Sequence, residues 1–193
     1  MNAAGAISVG LLGLGGVGSE VARALTQRSA MLTQRAGRPL SLDRVLVRDP
    51  SRPRGVSLPP HLLTTDPAQV VETPEIDVLV EVMGGEEPAH TYIRRAMATG
   101  KHVVTANKEV IAKFGPELLG QAAEHGVQLL FEASVGAGIP IIGPLRKDLL
   151  ANQLRSIHGM GPEMRVVLEL GARLHDIGRV VNREGHHKHG EYL

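Results

Sequence analysis

Cysteine is absent from the 193 residues, which excludes disulfides, thiol catalysis and cysteine-bound metals and fits a cytoplasmic protein. Tryptophan is absent too, and two tyrosines with two phenylalanines are the whole aromatic content. The core is therefore expected to be built from Leu, Val, Ile and Ala. An excess of one charge is also lacking: 21 Lys and Arg stand against 20 Asp and Glu, a net +1. Such a balance carries no polyelectrolyte signature for nucleic acid or a membrane surface, so a small-molecule partner is expected. No run approaches the ~20 apolar residues of a spanning helix. Met1 to Ala6 carries no basic segment ahead of an apolar one, so no signal peptide is expected. What remains, 42% hydrophobic and 21% charged, is a soluble globular composition. The length suits one ample domain, or one domain with part of another.

The organising stretch is Ile7 to Ser19, an apolar run that breaks into Gly13-Leu14-Gly15-Gly16-Val17-Gly18 and continues into the helix-compatible Glu20 to Leu25. A GxGxxG pattern alone is weak, but a strand before it and a helix after it are the context of a dinucleotide-binding turn. Gly13 is expected to permit the sharp turn, Gly15 to let backbone N–H groups approach a pyrophosphate, and Gly18 to let helix and strand pack closely. The helix N-terminus then holds the anion through its unpaired N–H groups and positive dipole end.

A helix is expected from about Val17 to Arg35, stopped by Gly37-Arg38-Pro39, and a second strand over Arg44 to Arg48. The residues at that strand's end select the cofactor, an acid favouring NAD and an arginine accepting the 2′-phosphate of NADP. Arg48, Arg52 and Arg54 place three guanidiniums within seven positions, which suits a phosphate through forked, charge-assisted bonds. NADP is the first choice, Arg48 its contact, and Asp49 keeps NAD open. Pro53 to Pro74 reads as loop with one short helix near Pro67 to Glu72. Ile76 to Met83 reads as a strand buried on both faces, ending in Gly84-Gly85, where backbone can again approach a ligand. There follow a helix from Pro88 to Ala98 closed by Gly100, a strand at His102 to Thr105, a turn at Ala106-Asn107-Lys108, a helix from about Pro116 to His125, and a strand at Val127 to Phe131. Such alternation predicts a doubly wound, parallel α/β sheet of the Rossmann kind, with ligands at the carboxyl ends of the strands.

Five segments, taken in order and spacing, resemble the N-terminal region of homoserine dehydrogenases: Gly13 to Gly18, Val45 to Pro50, Glu81 to Gly85, Val103 to Lys108, and Phe131 to Ile142. The likeness covers roughly Ile7 to Gly159. It implies an oxidoreductase that interconverts aspartate 4-semialdehyde and homoserine with NAD(P)H, in the biosynthesis of threonine, methionine and isoleucine. It also implies that Thr105 and Lys108 contact the cofactor and that Lys108 is catalytic. A lysine at that strand end can bind a carbonyl oxygen or move a proton as hydride arrives, provided burial brings its pKa toward neutrality. The plainer alternative is a surface lysine that starts a helix.

The Glu132 segment is similar to the family's sodium site. Extended backbone from Val135 to Ile139 would turn alternate carbonyls one way, so Val135, Ala137 and Ile139 could join the Glu132 carboxylate in an all-oxygen shell. The alternative is a Gly-rich connection into a helix from about Pro140 to Leu150, with Glu132 capping an amide.

The family resemblance stops near His158-Gly159. The Asn-Gly-Thr-Thr-Asn motif and substrate domain that follow in the family, with its acidic residues and proton-donating lysine, are not in this sequence. Residues 162–193 resemble instead the HD-type C-terminal region of exopolyphosphatase/guanosine pentaphosphate phosphatase proteins. His175-Asp176, with His186, His187 and His189 behind, has the ligand types of a divalent-metal phosphohydrolase. The further helices such a site needs do not fit in so short a remnant, so an exposed end without bound metal is expected. The organisation read is a Rossmann domain over 1–159 and a helical tail over 160–193. Three functions follow: a catalytically incomplete homoserine dehydrogenase-like domain, a non-catalytic NAD(P)-binding module, or an HD-type fragment. Apolar surface without a substrate domain to cover it makes a homo-oligomer a further expectation.

Overall fold

In the computed structural model, residues 5–136 and 141–143 are described. Strand β1, Ile7–Leu12, is buried on both faces and lies in the interior of a six-stranded sheet in the order β3-β2-β1-β4-β5-β6. Its partners are β2 (Leu40–Leu46) and β4 (Val78–Glu81), both parallel to it. Strands β3 (Leu63–Thr64), β5 (His102–Thr105) and β6 (Leu129–Leu130) complete the sheet, again all parallel. This is the expected doubly wound architecture.

Because strand side chains alternate, the sheet feeds two cores. Val9, Leu11, Val78 and Val80 pack with Leu25 and Leu32 on one face. Leu12, Leu79 and Val103 pack on the other with Val70, Ile93, Met97 and Leu118. The first face is covered by α1 (Gly16–Gln27) and α2 (Ser29–Ala36). The second is covered by α3 (Ala68–Val71), α4 (Ala89–Ala98) and α5 (Lys108–Glu124). A last helical turn, α6, spans Glu132–Gly136. Gly10 belongs to this arrangement: a methyl there would lie 2.8 Å from Val70 Cγ1 and 3.1 Å from Ile76 Cδ1, so its bareness admits α3.

Four expectations are corrected. The helix expected over 17–35 is two, broken at Arg28 (φ −121°, ψ 25°). Thr26 Oγ1 donates to the Ala22 carbonyl in the last turn of α1, a competing bond that bends helices, and the break sends Leu32 into the same core as Leu25. The second strand starts at Leu40 rather than Arg44. Its alternation is interrupted where the register shifts between Val9 and Gly10, and the extra residue, Asp43, accepts a 2.5 Å bond from Ser8 Oγ. Between Pro53 and Pro74 the expected short helix is present as α3, but the stretch before it also holds a 3-10 turn, Pro60–Leu62, and the short edge strand β3. A Val47 N–H bond to Thr64 O continues the pairing there.

Finally, α5 begins at Lys108 rather than Pro116. Asn107 caps it, its side-chain oxygen accepting from Val110 N at 3.2 Å, and Pro116 is tolerated inside. A proline crowds the Cβ of the residue before it, and that residue is Gly115. The expected domain boundary at 159, the helix beyond Gly143 and the tail all lie outside the described residues. No helix among the described residues is long and apolar enough to cross a membrane.

Candidate functional site

At the carboxyl end of β1 the chain turns through Gly13, whose φ of +96° only glycine adopts easily. A methyl at Gly18 would sit 2.1 Å from the Gly13 carbonyl oxygen. The first turn of α1 is thus pressed directly onto the turn that precedes it. Gly15 and Gly16 differ: a Cβ at either meets nothing within 4 Å, so their backbone faces open space. Gly15 is the N-cap of α1 and makes no side-chain cap, and no acidic residue stands in the first turn. The positive end of the helix is left available to an anion. Leu14 is buried in the α1-side core, so only its backbone is offered to a ligand, whereas Val17 is 57% exposed.

Val17 is one wall of a cleft of about 270 Å³, whose other walls are Val82 to Gly85 at the end of β4 and Ala106 to Glu109 at the end of β5. Gly84 and Gly85 both adopt positive φ, 78° and 76°, which turns the chain sharply beside the cleft. Of the residues singled out from sequence, Val17, Gly84 and Lys108 meet here. Thr105 is buried behind the wall. Its hydroxyl donates to Glu81 Oε2 at 2.6 Å and accepts from Asn107 N at 3.0 Å.

Lys108 opens α5, against the helix dipole, which favours anions at that end; Glu109 beside it is the one acidic residue of the first turn. It is exposed. The burial that acid–base work by this lysine requires is therefore not provided by the described residues.

At the end of β2, Arg48 is exposed and has no partner among the described residues. Arg54 is spent on the carbonyls of Asp49 and Arg52. Asp49 is folded into a turn, its Oδ1 accepting from Ser51 N at 2.9 Å and Ser51 Oγ at 2.6 Å, and the hydroxyl bond holds its carboxyl below the usual range. Of the two signals at this strand end, the guanidinium of Arg48 is the one left free for a ligand.

The cation reading finds a different arrangement. Val135 and Gly136 belong to the helical turn α6 rather than to extended backbone, and Ala137 and Ile139 lie outside the described residues. The Glu132 carboxylate accepts from Ile141 N, from Ile142 N at 2.9 Å and from Gly143 N at 3.1 Å. Among the described residues the Glu132 carboxylate caps backbone amides, the alternative weighed for it from sequence.

Sequence reasoning passed over Glu81, which is completely buried, and read Asn107 only as a turn residue. A lone carboxylate in a strand otherwise apolar on both faces was the available signal.

A glycine turn locked onto a helix start, at the point where the sheet order reverses between β1 and β4, defines a dinucleotide-binding domain. Comparison with known proteins narrows this class to one family. Residues 13–132 match the family model described as "Homoserine dehydrogenase, NAD binding domain", and the chain belongs to that family. It is 47% identical over 157 residues to the homoserine dehydrogenase of Synechocystis sp., covering 80% of this chain and 35% of that protein. The crystal structure of a homoserine dehydrogenase from Thiobacillus denitrificans matches with a TM-score of 0.66 and 44% identity, over 76% of this chain and 34% of the other. A hyperthermophilic archaeal homoserine dehydrogenase in complex with NADPH matches at 28% identity and a TM-score of 0.61, over 76% of this chain and 50% of that one. The chain spans about a third of the length of the curated relatives it matches.

Proposed function

We propose that this chain is the NADPH-binding part of a homoserine dehydrogenase. The observation that carries the reading is the contrast within one turn: Gly13 and Gly18 interlock at a distance no side chain survives, while Gly15 and Gly16 stay open to a ligand. Amides at the start of α1 hold the pyrophosphate. Arg48 takes the 2′-phosphate, which supports NADP over NAD. Val17 and the Gly84 backbone receive the nicotinamide. When bound, the cofactor supplies or accepts the hydride between aspartate 4-semialdehyde and homoserine. Lys108, at the positive end of α5, holds the carbonyl oxygen and the proton that it gains or loses. Because Lys108 is exposed, full turnover requires a covering surface that the described residues do not provide.

A fluorescence titration tests this. NADPH is expected to bind in the micromolar range and more tightly than NADH, and Arg48→Ala is expected to weaken NADPH roughly tenfold while leaving NADH unchanged. The 193 residues by themselves are expected to oxidise homoserine very weakly or not at all. Equal affinity of both cofactors before and after the substitution would remove the 2′-phosphate role from Arg48, and robust turnover would refute the need for a cover. The HD-like tail rests on sequence alone. Manganese-dependent release of phosphate from an ester would favour that second reading.

A further inference from the structure

The carboxyl end of β4 carries a group that the proposed chemistry does not use. Glu81 has no exposed surface, and no cation is paired with it among the described residues. Removing a carboxylate from water without a counter-ion costs several kcal/mol in a real protein, and an apolar residue would fill the place without that cost. Leu79, two residues earlier on the same face, does so. Glu81 spends its two oxygens on two different segments: Oε1 accepts from Met83 N at 2.7 Å, and Oε2 from Thr105 Oγ1 at 2.6 Å. Thr105 Oγ1 in turn accepts from Asn107 N at 3.0 Å, and Asn107 Nδ2 donates to Gly85 O at 2.7 Å. The bonds close a ring that runs from Glu81 through Met83 to Gly85, across to Asn107, and back through Thr105. Both walls of the cleft, Val82 to Gly85 and Ala106 to Glu109, hang from this ring.

We propose that Glu81 is a positioning residue: its buried carboxylate ties the β4 and β5 strand-end loops into one frame and so sets the nicotinamide-side cleft and the start of α5 at Lys108. This rests on the cofactor reading above for its consequence, but not for the ring itself. The direction of the bonds requires an acceptor at both oxygens of Glu81. Thr105 Oγ1 already accepts a hydrogen bond from Asn107 N, so its own O–H is directed to Glu81 Oε2, which accepts it. Glutamine keeps the volume and an acceptor for Met83, yet presents an NH2 group to Thr105 and leaves the threonine proton without a partner.

The test uses the 193-residue chain and two probes, NADPH and adenosine 2′,5′-bisphosphate, which lacks the nicotinamide half. In Glu81→Gln, NADPH affinity is expected to fall about tenfold while the bisphosphate binds as before. Exchange of the Met83 and Asn107 amides, followed without cofactor, is expected to accelerate while the β1 amides keep their protection. Thr105→Val, which is isosteric, is expected to give the same pattern and carries the test if the glutamine variant does not fold. Adding Glu81→Gln to it should lower affinity no further. Equal loss of both probes would mean a general structural role, and unchanged NADPH binding or unchanged amide exchange would mean no role in the cleft. Either result overturns the proposal. Failure of the unmodified chain to bind NADPH would instead remove the cofactor reading, leaving amide exchange to decide the role of Glu81 in the ring.

Discussion

A methyl group separates two kinds of glycine in the first turn. At Gly18 it would overlap the Gly13 carbonyl, and relieving such an overlap costs about 1–3 kcal/mol or more. Gly18→Ala is therefore expected to lower the thermal midpoint and abolish cofactor binding together. At Gly15, with open space and an ordinary φ of −80°, alanine is expected to leave the midpoint unchanged while weakening NADPH, because the added carbon fills the phosphate's place. Differential scanning fluorimetry with and without NADPH reads both. The sharp turn at Gly13 and the close packing at Gly18 were legible from spacing, since only glycine meets a positive φ or so near an approach at little cost. Glu81 was not legible, because the meaning of a carboxylate in a strand depends on donors 2 and 24 residues away in the chain.

His102 adds a residue-level pH dependence. Its Nδ1 accepts a bond from Gln128 N at 3.2 Å, and burial lowers its pKa against a smaller opposing pull from Asp77. Between the lowered folded value and the ordinary value of about 6.5, the unfolded chain binds the extra proton, so stability rises with pH through that window and is flat above it. Urea midpoints are expected to climb as the pH rises toward about 6.5 and to level off above it. His102→Asn, which retains an acceptor for Gln128, should flatten that climb.

Among the elements, α5 shows how one residue sets both a boundary and a site. Asn107 caps the helix through Val110 N and holds Gly85 O through its amide. Asn107→Ala is expected to cost about 1 kcal/mol for the cap alone, measured by denaturant unfolding, and to loosen the β4 loop as well. The start of this helix was hidden because Pro116 imitates a first-turn proline, and the cap that outweighs it lies nine residues earlier in a segment that reads as a turn. Strands β1, β4 and β5 were legible because runs of Val, Ile and Leu bounded by glycine, proline or turn segments leave few alternatives. Strand β3, two residues long, carries no periodicity at all and is specified only by the edge of β2 that it completes. The break at Arg28 was equally silent, since every residue from Thr26 to Ser29 is compatible with a continuing helix.

At the scale of the molecule, the family relation and the sheet agree on a dinucleotide-binding domain, and among the described residues Lys108 stays exposed. The same sheet dictates an order of events. Its central strand, made first, finds its β2 partners from Leu40 onward and its β4 partners only from Val78. At roughly 5–20 residues per second, a ribosome needs several seconds between Val9 and Val78. Throughout that interval one edge of an apolar strand emerges without a neighbour, a template for sticking to other nascent chains. A fragment ending before Glu75 is accordingly expected to show no cooperative unfolding transition and to self-associate, read by sedimentation. One ending after Glu124, with five strands and α5 in place, should melt as a unit.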